Sequence, residues 1–262
     1  MNTLHTGTTD NALFKTPGDR PVIEIINLKK SFVEQEVLTN VSLKLFNGEN
    51  LVVVGKSGIG KSVLIKCIVG LLIPDGGTIL VFDNDVTALS RKELGELRQK
   101  IGFLFQSGAL YDSMTVKQNM EFPLRRIKKN LTEKDIEEKV NEVLENVGLA
   151  DALNKMPSQL SGGMRKRISL ARTIVVDPMI MLYDEPTTGL DPVTSDEIST
   201  LIIDLQKKYK TSSLIITHDI KCARKIADRI IMLSEGAVYK EGKPEDFDNS
   251  GDPLIESFFT QS

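Results

Sequence analysis

The 262-residue sequence has no tryptophan, two cysteines and two histidines, and aromatic residues make up only 5% of it. Two thiols cannot build the disulfide framework of a small secreted domain. Cys67 and Cys222 fall in segments with helical patterning, where they read as small buried apolar residues suited to a reducing cytosol. Long hydrophobic runs are also missing. Cys67–Pro74 is among the longest, well short of the 18 or more apolar residues that span a bilayer. Met1–Arg20 contains no continuous apolar stretch, so a signal peptide is not expected and the segment reads as a polar N-terminal tail. Positive charge is not in excess, since 33 Lys and Arg against 36 Asp and Glu leave a formal charge of −3. That balance gives no electrostatic footprint for a phosphate backbone, which excludes nucleic acid as an expected partner.

What is present is an ordinary globular composition, 40% hydrophobic and 26% charged, in a chain long enough for one large domain or one domain with an insertion. Val22–Leu28 and Val37–Leu45 carry the alternation of half-buried strands, and Leu51–Val54 is a continuous apolar run of the kind found in a fully buried parallel strand. A helix is expected over Ser62–Leu72, then strands over Thr78–Phe82 and Ile101–Phe105. The segment from Thr115 to Leu153 is dense in charge, and its Val140, Val143, Leu144 and Val147 share one helical face, which predicts an inserted helical subdomain, about 107–177 within a domain of 21–262. Strand-like runs return at Met179–Tyr183, Leu214–Thr217 and Ile230–Leu233, separated by helical stretches of 10 or more residues. This alternation predicts βαβ units and a parallel sheet, hence an α/β fold. Glu235-Gly236 has the chemistry of a hairpin turn, and Leu254–Phe259 is amphipathic.

Gly55-Lys56-Ser57-Gly58-Ile59-Gly60-Lys61-Ser62 fits the pattern G-x-x-x-x-G-K-[ST] between an expected strand and an expected helix. Glycines let the backbone turn its N–H groups onto phosphate oxygens, and the following helix adds its positive end. Lys61 would then reach the β- and γ-phosphates and the Ser62 hydroxyl a Mg²⁺ ion. Asp184 and Glu185 stand at the end of the run Met179–Tyr183, where ligands sit in open α/β sheets. Adjacent buried carboxylates need a cation, so Mg²⁺ under Asp184 accounts for them, with Glu185 left as the base for an attacking water. Ser161-Gly162-Gly163 opens a helix expected over Arg165–Val176 and forms a second anion-binding nest, although one nucleotide needs only one cradle. The second nest hints at service to another subunit's nucleotide.

These segments together resemble the ATP-binding cassette ATPases over nearly all of Val22–Phe259. The marks, in the family's order, are Phe32 at the adenine-stacking position, the loop Gly55–Ser62, Gln106, the signature Leu160–Met164, Asp184 with Glu185, Gly189-Leu190-Asp191, and His218. Phe32 stands where tyrosine is more usual, and Met164 where glutamine is commoner. The resemblance implies a P-loop NTPase fold with a mixed or parallel core sheet, an antiparallel β subdomain and the inserted helices. It also implies ATP and Mg²⁺ as cofactors and a head-to-tail homodimer in which each ATP lies between one copy's phosphate loop and the other's signature. In that reading Gln106 contacts Mg²⁺ and the water, His218 holds the γ-phosphate, and Asp191 crosses the dimer interface.

Phe105–Leu110 and Ser161–Arg167 look like the ATPase of Mla-type (maintenance of lipid asymmetry) and Mce-associated transporters. That branch implies lipid transport through a separate integral membrane permease, a peripheral place on the cytoplasmic face of the inner membrane, and a Mce-type substrate-binding protein and small accessory subunit as further partners. Lipoprotein release, small-solute import and a soluble non-transport role stay open as alternatives. Docking on the permease is expected around Gln106–Leu124. The basic cluster Arg125, Arg126, Lys128 and Lys129 reads as a solvated helix face.

Overall fold

A computed structural model describes residues 20–33, 35–248 and 250–259. The expected N-terminal tail therefore lies outside the described residues, apart from Arg20. The strands are β1 (Ile23–Phe32), β2 (Gln35–Leu45), β3 (Asn50–Val54), β4 (Gly76–Val81), β5 (Asn84–Asp85), β6 (Ile101–Leu104), β7 (Ile180–Asp184), β8 (Ser212–Thr217), β9 (Arg229–Ser234) and β10 (Ala237–Gly242). The α-helices are α1 (Lys61–Ile68), α2 (Arg91–Arg98), α3 (Val116–Ile127), α4 (Glu133–Asn146), α5 (Gly162–Ile174), α6 (Pro192–Tyr209), α7 (Ile220–Ile226) and α8 (Pro253–Phe259).

The sheet order is β5-β4-β1-β2-β10-β9-β3-β8-β7-β6. Strands β9, β3, β8, β7 and β6 are mutually parallel, whereas β1, β2, β4 and β5 pair antiparallel. The continuous apolar runs of the parallel strands follow from burial on both faces. Val52 and Val54, Met181 and Tyr183, and Ile230 and Met232 join one core with α3–α7, while Leu51 and Val53, Ile180 and Leu182, and Ile231 and Leu233 join the other with α1. At about 1.5–3 kcal/mol per fully buried aliphatic side chain, this two-sided burial is the main force holding the strands in register. The face expected from Val140, Val143, Leu144 and Val147 is buried in the first of these cores.

Helix starts follow local chemistry. Ser90 with Glu93, Thr115 with Gln118 and Thr132 with Asp135 form reciprocal capping boxes at α2, α3 and α4. Several boundaries differ from expectation. Helix α1 stops at Ile68 rather than Leu72, because Gly70 takes φ +64° and the amides of Leu71 and Leu72 fold back on the Lys66 carbonyl. Helix α5 begins at Gly162, three residues before Arg165, since Ser161 caps it. Only seven residues form α7, not ten or more: Ala227 is extended and the Asp228 amide donates to the Asn50 carbonyl, drawing the chain into β9 early. Strand β7 starts at Ile180 and leaves Met179 54% exposed. The Glu235-Gly236 hairpin is present, with both residues at positive φ, as an inverse turn between β9 and β10 demands. Cys67 and Cys222 are buried free thiols in α1 and α7, and burial pushes each up to about 11. No helix among the described residues is long and apolar enough to cross a membrane.

Candidate nucleotide site

Four neighbouring parallel strands, β3, β8, β7 and β6, release the expected site residues from their C-terminal ends. Strand β3 leads into Gly55–Ser62, β7 into Asp184 and Glu185, β8 into His218, and β6 into Gln106. Because these strands are parallel and adjacent, residues more than 160 positions apart arrive at one edge of the sheet. There they line a cleft of about 340 Å³, whose wall includes Phe32, Ser57, Gly58, Gly60, Lys61, Ser62, Gln106, Glu185 and His218. Gln35, Val37 and Val63 also line it, and sequence reasoning did not single them out.

The phosphate loop needs its glycines. Gly60 has φ +102°, and a Cβ there would stand 2.8 Å from Leu38 Cδ2 and from Val37 Cγ1. Gly55 is pressed against β9, so that a Cβ would meet the Leu233 carbonyl oxygen at 2.9 Å. Lys56 and Ser57 are exposed at the loop's outer turn, and Ile59 packs on the core beneath. Lys61 is buried and bends back into the loop, donating from Nζ to the Gly55 carbonyl at 2.7 Å and the Lys56 carbonyl at 3.1 Å. It also lies 3.7 Å from Glu185 Oε1. Burial holds its ammonium below the ordinary lysine range, with the Glu185 carboxylate the main opposing influence.

Glu185 follows β7 with φ +51°, an uncommon backbone conformation for a residue with a side chain and one concentrated at functional sites. Its amide donates to the Ile216 carbonyl at 2.9 Å, so β8 fixes the turn. Its Oε2 accepts from His218 Nδ1 at 2.9 Å, from the His218 amide at 3.3 Å and from Thr188 Oγ1 at 3.1 Å. Asp184 lies beneath the cleft and accepts from the Ser62 hydroxyl at 3.0 Å. Burial raises the Asp184 carboxyl above the ordinary range, against the Ser62 hydrogen bond and the two nearby lysines. Ser62 Oγ and Asp184 Oδ1 thus converge as a pair of hard oxygen donors, the donor chemistry that fits Mg²⁺. Phe32 is 42% exposed on the rim, with Lys30 Nζ over its ring 5.4 Å from the centroid.

Ser161, Gly162 and Gly163 are not in this cleft. They line a second one of about 380 Å³ with Met164, Arg167, Gly189, Leu190, Asp191 and Thr194, and the two clefts share no lining residue. Ser161 Oγ accepts from the Met164 amide, while the amides of Gly162 and Gly163 precede any intrahelical acceptor. Asp191 caps α6, accepting from the amides of Val193 and Thr194 and from the Thr194 hydroxyl. Gly163 leaves room for that arrangement, since a Cβ there would stand 2.7 Å from Thr194 Cγ2. The basic cluster is partly neutralised: Arg125 forks onto Glu133 and reaches Glu121. Two residues that sequence reasoning missed are Thr188, which holds Glu185, and the buried Lys166, which contacts the carbonyls of Gln106 and Glu185. The Lys166 acceptors lie 60 and 19 positions away in the chain, so no local pattern marks it, whereas Thr188 is only three residues from Glu185 and its role follows from the turn after β7.

A phosphate loop facing a strand-end carboxylate pair, with a second glycine nest on the same chain, is the arrangement of a cassette ATPase. The ABC transporter family model matches residues 38–188, more than half of the chain. The chain belongs to the ABC transporter ATPase family. A probable ribonucleotide transport ATP-binding protein of Mycobacterium leprae is 42% identical over 236 residues, 90% of this chain and 68% of that protein. The Arabidopsis thaliana chloroplastic protein named trigalactosyldiacylglycerol 3 is 38% identical over 258 residues, 92% of this chain and 74% of that one. Among solved structures, the dimeric cassette MJ0796 in a post-hydrolysis state bound to ADP and Pi matches with a TM-score of 0.77 and 32% identity, covering 85% of this chain and 98% of that chain. This chain spans about two thirds of the length of the mycobacterial relatives. It is the ATPase subunit of an ABC transporter, binding and hydrolysing ATP on a mixed-sheet P-loop fold.

Proposed function

We propose that two copies of this chain close head to tail on two ATP molecules and drive the movement of lipid through a separate membrane permease. The observation that supports the first half is the separation of the clefts: the signature amides of Gly162 and Gly163 do not line the cleft that holds Lys61 and Glu185, and a second copy would supply them. A description of MJ0796 as a dimeric cassette supports the same reading.

In the arrangement described here Glu185 is occupied by Lys61, Thr188 and His218. A γ-phosphate competes for Lys61 and His218, because a phosphate oxygen is the stronger acceptor for a cationic or N–H donor. Drawing both away leaves the Glu185 carboxylate free to take a proton from water, and Gln106 at the cleft wall to orient that water. Phe32 offers a ring face to the adenine. Ser62 and Asp184 would hold Mg²⁺, which when bound neutralises charge developing on the phosphates.

The lipid reading rests on the likeness of Phe105–Leu110 and Ser161–Arg167 to Mla-type and Mce-associated ATPases, and the name of the Arabidopsis relative supports it. Other relatives are named for ribonucleotide and methionine transport. The permease would dock along Gln106–Leu124, where Tyr111 and Phe122, like Phe105 just before the segment, are each more than a third exposed. A peripheral place on the inner face of the membrane, a Mce-type protein and a small accessory subunit complete the proposal. Purifying the intact complex from membranes and identifying its chains and bound small molecules tests it. Phospholipid enriched over a mock purification is expected, and a complex carrying ribonucleotide or methionine without lipid would contradict the substrate.

A further inference from the structure

Lys166 lies in the second turn of α5, 5% exposed, and its Nζ donates to the Gln106 carbonyl at 2.9 Å and approaches the Glu185 carbonyl at 3.5 Å. A buried ammonium is costly unless it finds acceptors. Here the acceptors are main-chain oxygens of two separate segments, the loop after β6 and the residue after β7. Burial pushes this ammonium below the ordinary lysine range, while Asp184 and Glu185 pull it back. The same face of α5 continues under the loop. A Cβ on Gly108 would stand 2.5 Å from Ser169 Oγ, and Arg172 donates to the Ala109 carbonyl with its guanidinium 4.9 Å from the Tyr111 ring centroid. The Gln106 loop is thus seated along the helix whose first residues are the signature glycines.

We propose that Lys166 is a positioning residue that ties the orientation of α5 to the Gln106 loop and to the peptide of Glu185, so that capture of the partner copy's nucleotide by Ser161–Gly163 sets this chain's own hydrolytic residues. The inference rests on the composite-site reading above. Lys166→Met fills the same volume without donors. It is expected to lower kcat about tenfold, leave the Kd for a fluorescent ATP analogue within twofold, and speed amide hydrogen exchange in Phe105–Tyr111 but not in β3. Lys166→Arg, which keeps the donors, should recover part of the loss. Gly108→Ala, which pushes the loop off Ser169 without touching Lys166, should copy the loss of kcat at unchanged Kd, and it decides the matter if Lys166→Met does not fold. In the Glu185→Gln background, ATP should slow exchange in the loop, and Lys166→Met should abolish that protection. Parental kcat in Lys166→Met or in Gly108→Ala, or protection that survives Lys166→Met, overturns the proposal. Full turnover in Glu185→Gln alone would instead count against the assignment of the base.

Discussion

Glu185→Gln is the substitution whose consequences the structure specifies most fully. The amide is isosteric, and its oxygen can still accept from the His218 amide and the Thr188 hydroxyl, so the local fold is retained. What disappears is a proton acceptor and a negative charge. Loss of a general base costs about 10²–10⁴ in kcat, or about 3–5 kcal/mol of barrier. The lost charge acts on binding in the opposite direction. Lys61 Nζ is 3.7 Å from Glu185 Oε1, an attraction of about 4 kcal/mol before desolvation is counted, taking an effective dielectric constant of about 20. Most of that is offset by the cost of burying both ions, leaving on the order of 1 kcal/mol that ATP no longer has to overcome. ATP should therefore bind Glu185→Gln about three- to tenfold more tightly while turnover collapses. Single-turnover hydrolysis and a titration with a fluorescent ATP analogue measure the two effects separately. Parental turnover, or weaker binding with normal folding, would refute the reasoning.

Asp184→Asn should stabilise the nucleotide-free protein while abolishing hydrolysis. Burial raises the Asp184 carboxyl in the folded state, so above that range the folded chain carries a charge that the unfolded chain accommodates more easily. The variant should show a higher Tm near neutral pH, with the difference shrinking as the pH falls and the parental carboxyl is protonated; a Tm difference independent of pH would count against this origin. Gly60→Ala should lose ATP binding and at least about 1 kcal/mol of stability, because φ +102° and a Cβ 2.8 Å from Leu38 and Val37 leave the loop no room. Denaturant unfolding and nucleotide titration check both, and parental values in either would show that the loop relaxes freely.

The parallel core was legible because β3, β7 and β8 bury both faces and so appear as unbroken apolar runs bounded by turn residues. The phosphate loop was legible because its chemistry is local: glycine, lysine and serine act within eight consecutive positions. Strand and helix ends were less so. Met179 and Phe105 have strand-forming side chains, yet the ladder between β6 and β7 runs only from Ile101 opposite Ile180 to Leu104 opposite Tyr183. The shortness of α7 depends on the Asp228–Asn50 contact across 178 positions. Lys166 escaped notice for the same reason, since its acceptors lie 60 and 19 positions away, whereas Thr188, three residues from Glu185, was missed because a threonine in a Thr-Thr-Gly turn carries no sign of which way its hydroxyl points.

The central claim, that each ATP is held between two copies, is tested most directly by mixing two inactive variants. Lys61→Ala disables the phosphate loop and Ser161→Arg the signature, in separate clefts of the chain. A mixed dimer has one site assembled from two intact halves and one from two damaged halves. With mixed dimers verified by tagged co-purification, ATPase activity should return to about half the parental value per dimer, whereas each variant alone stays inactive. Mixed dimers as inactive as their parents would contradict the composite site.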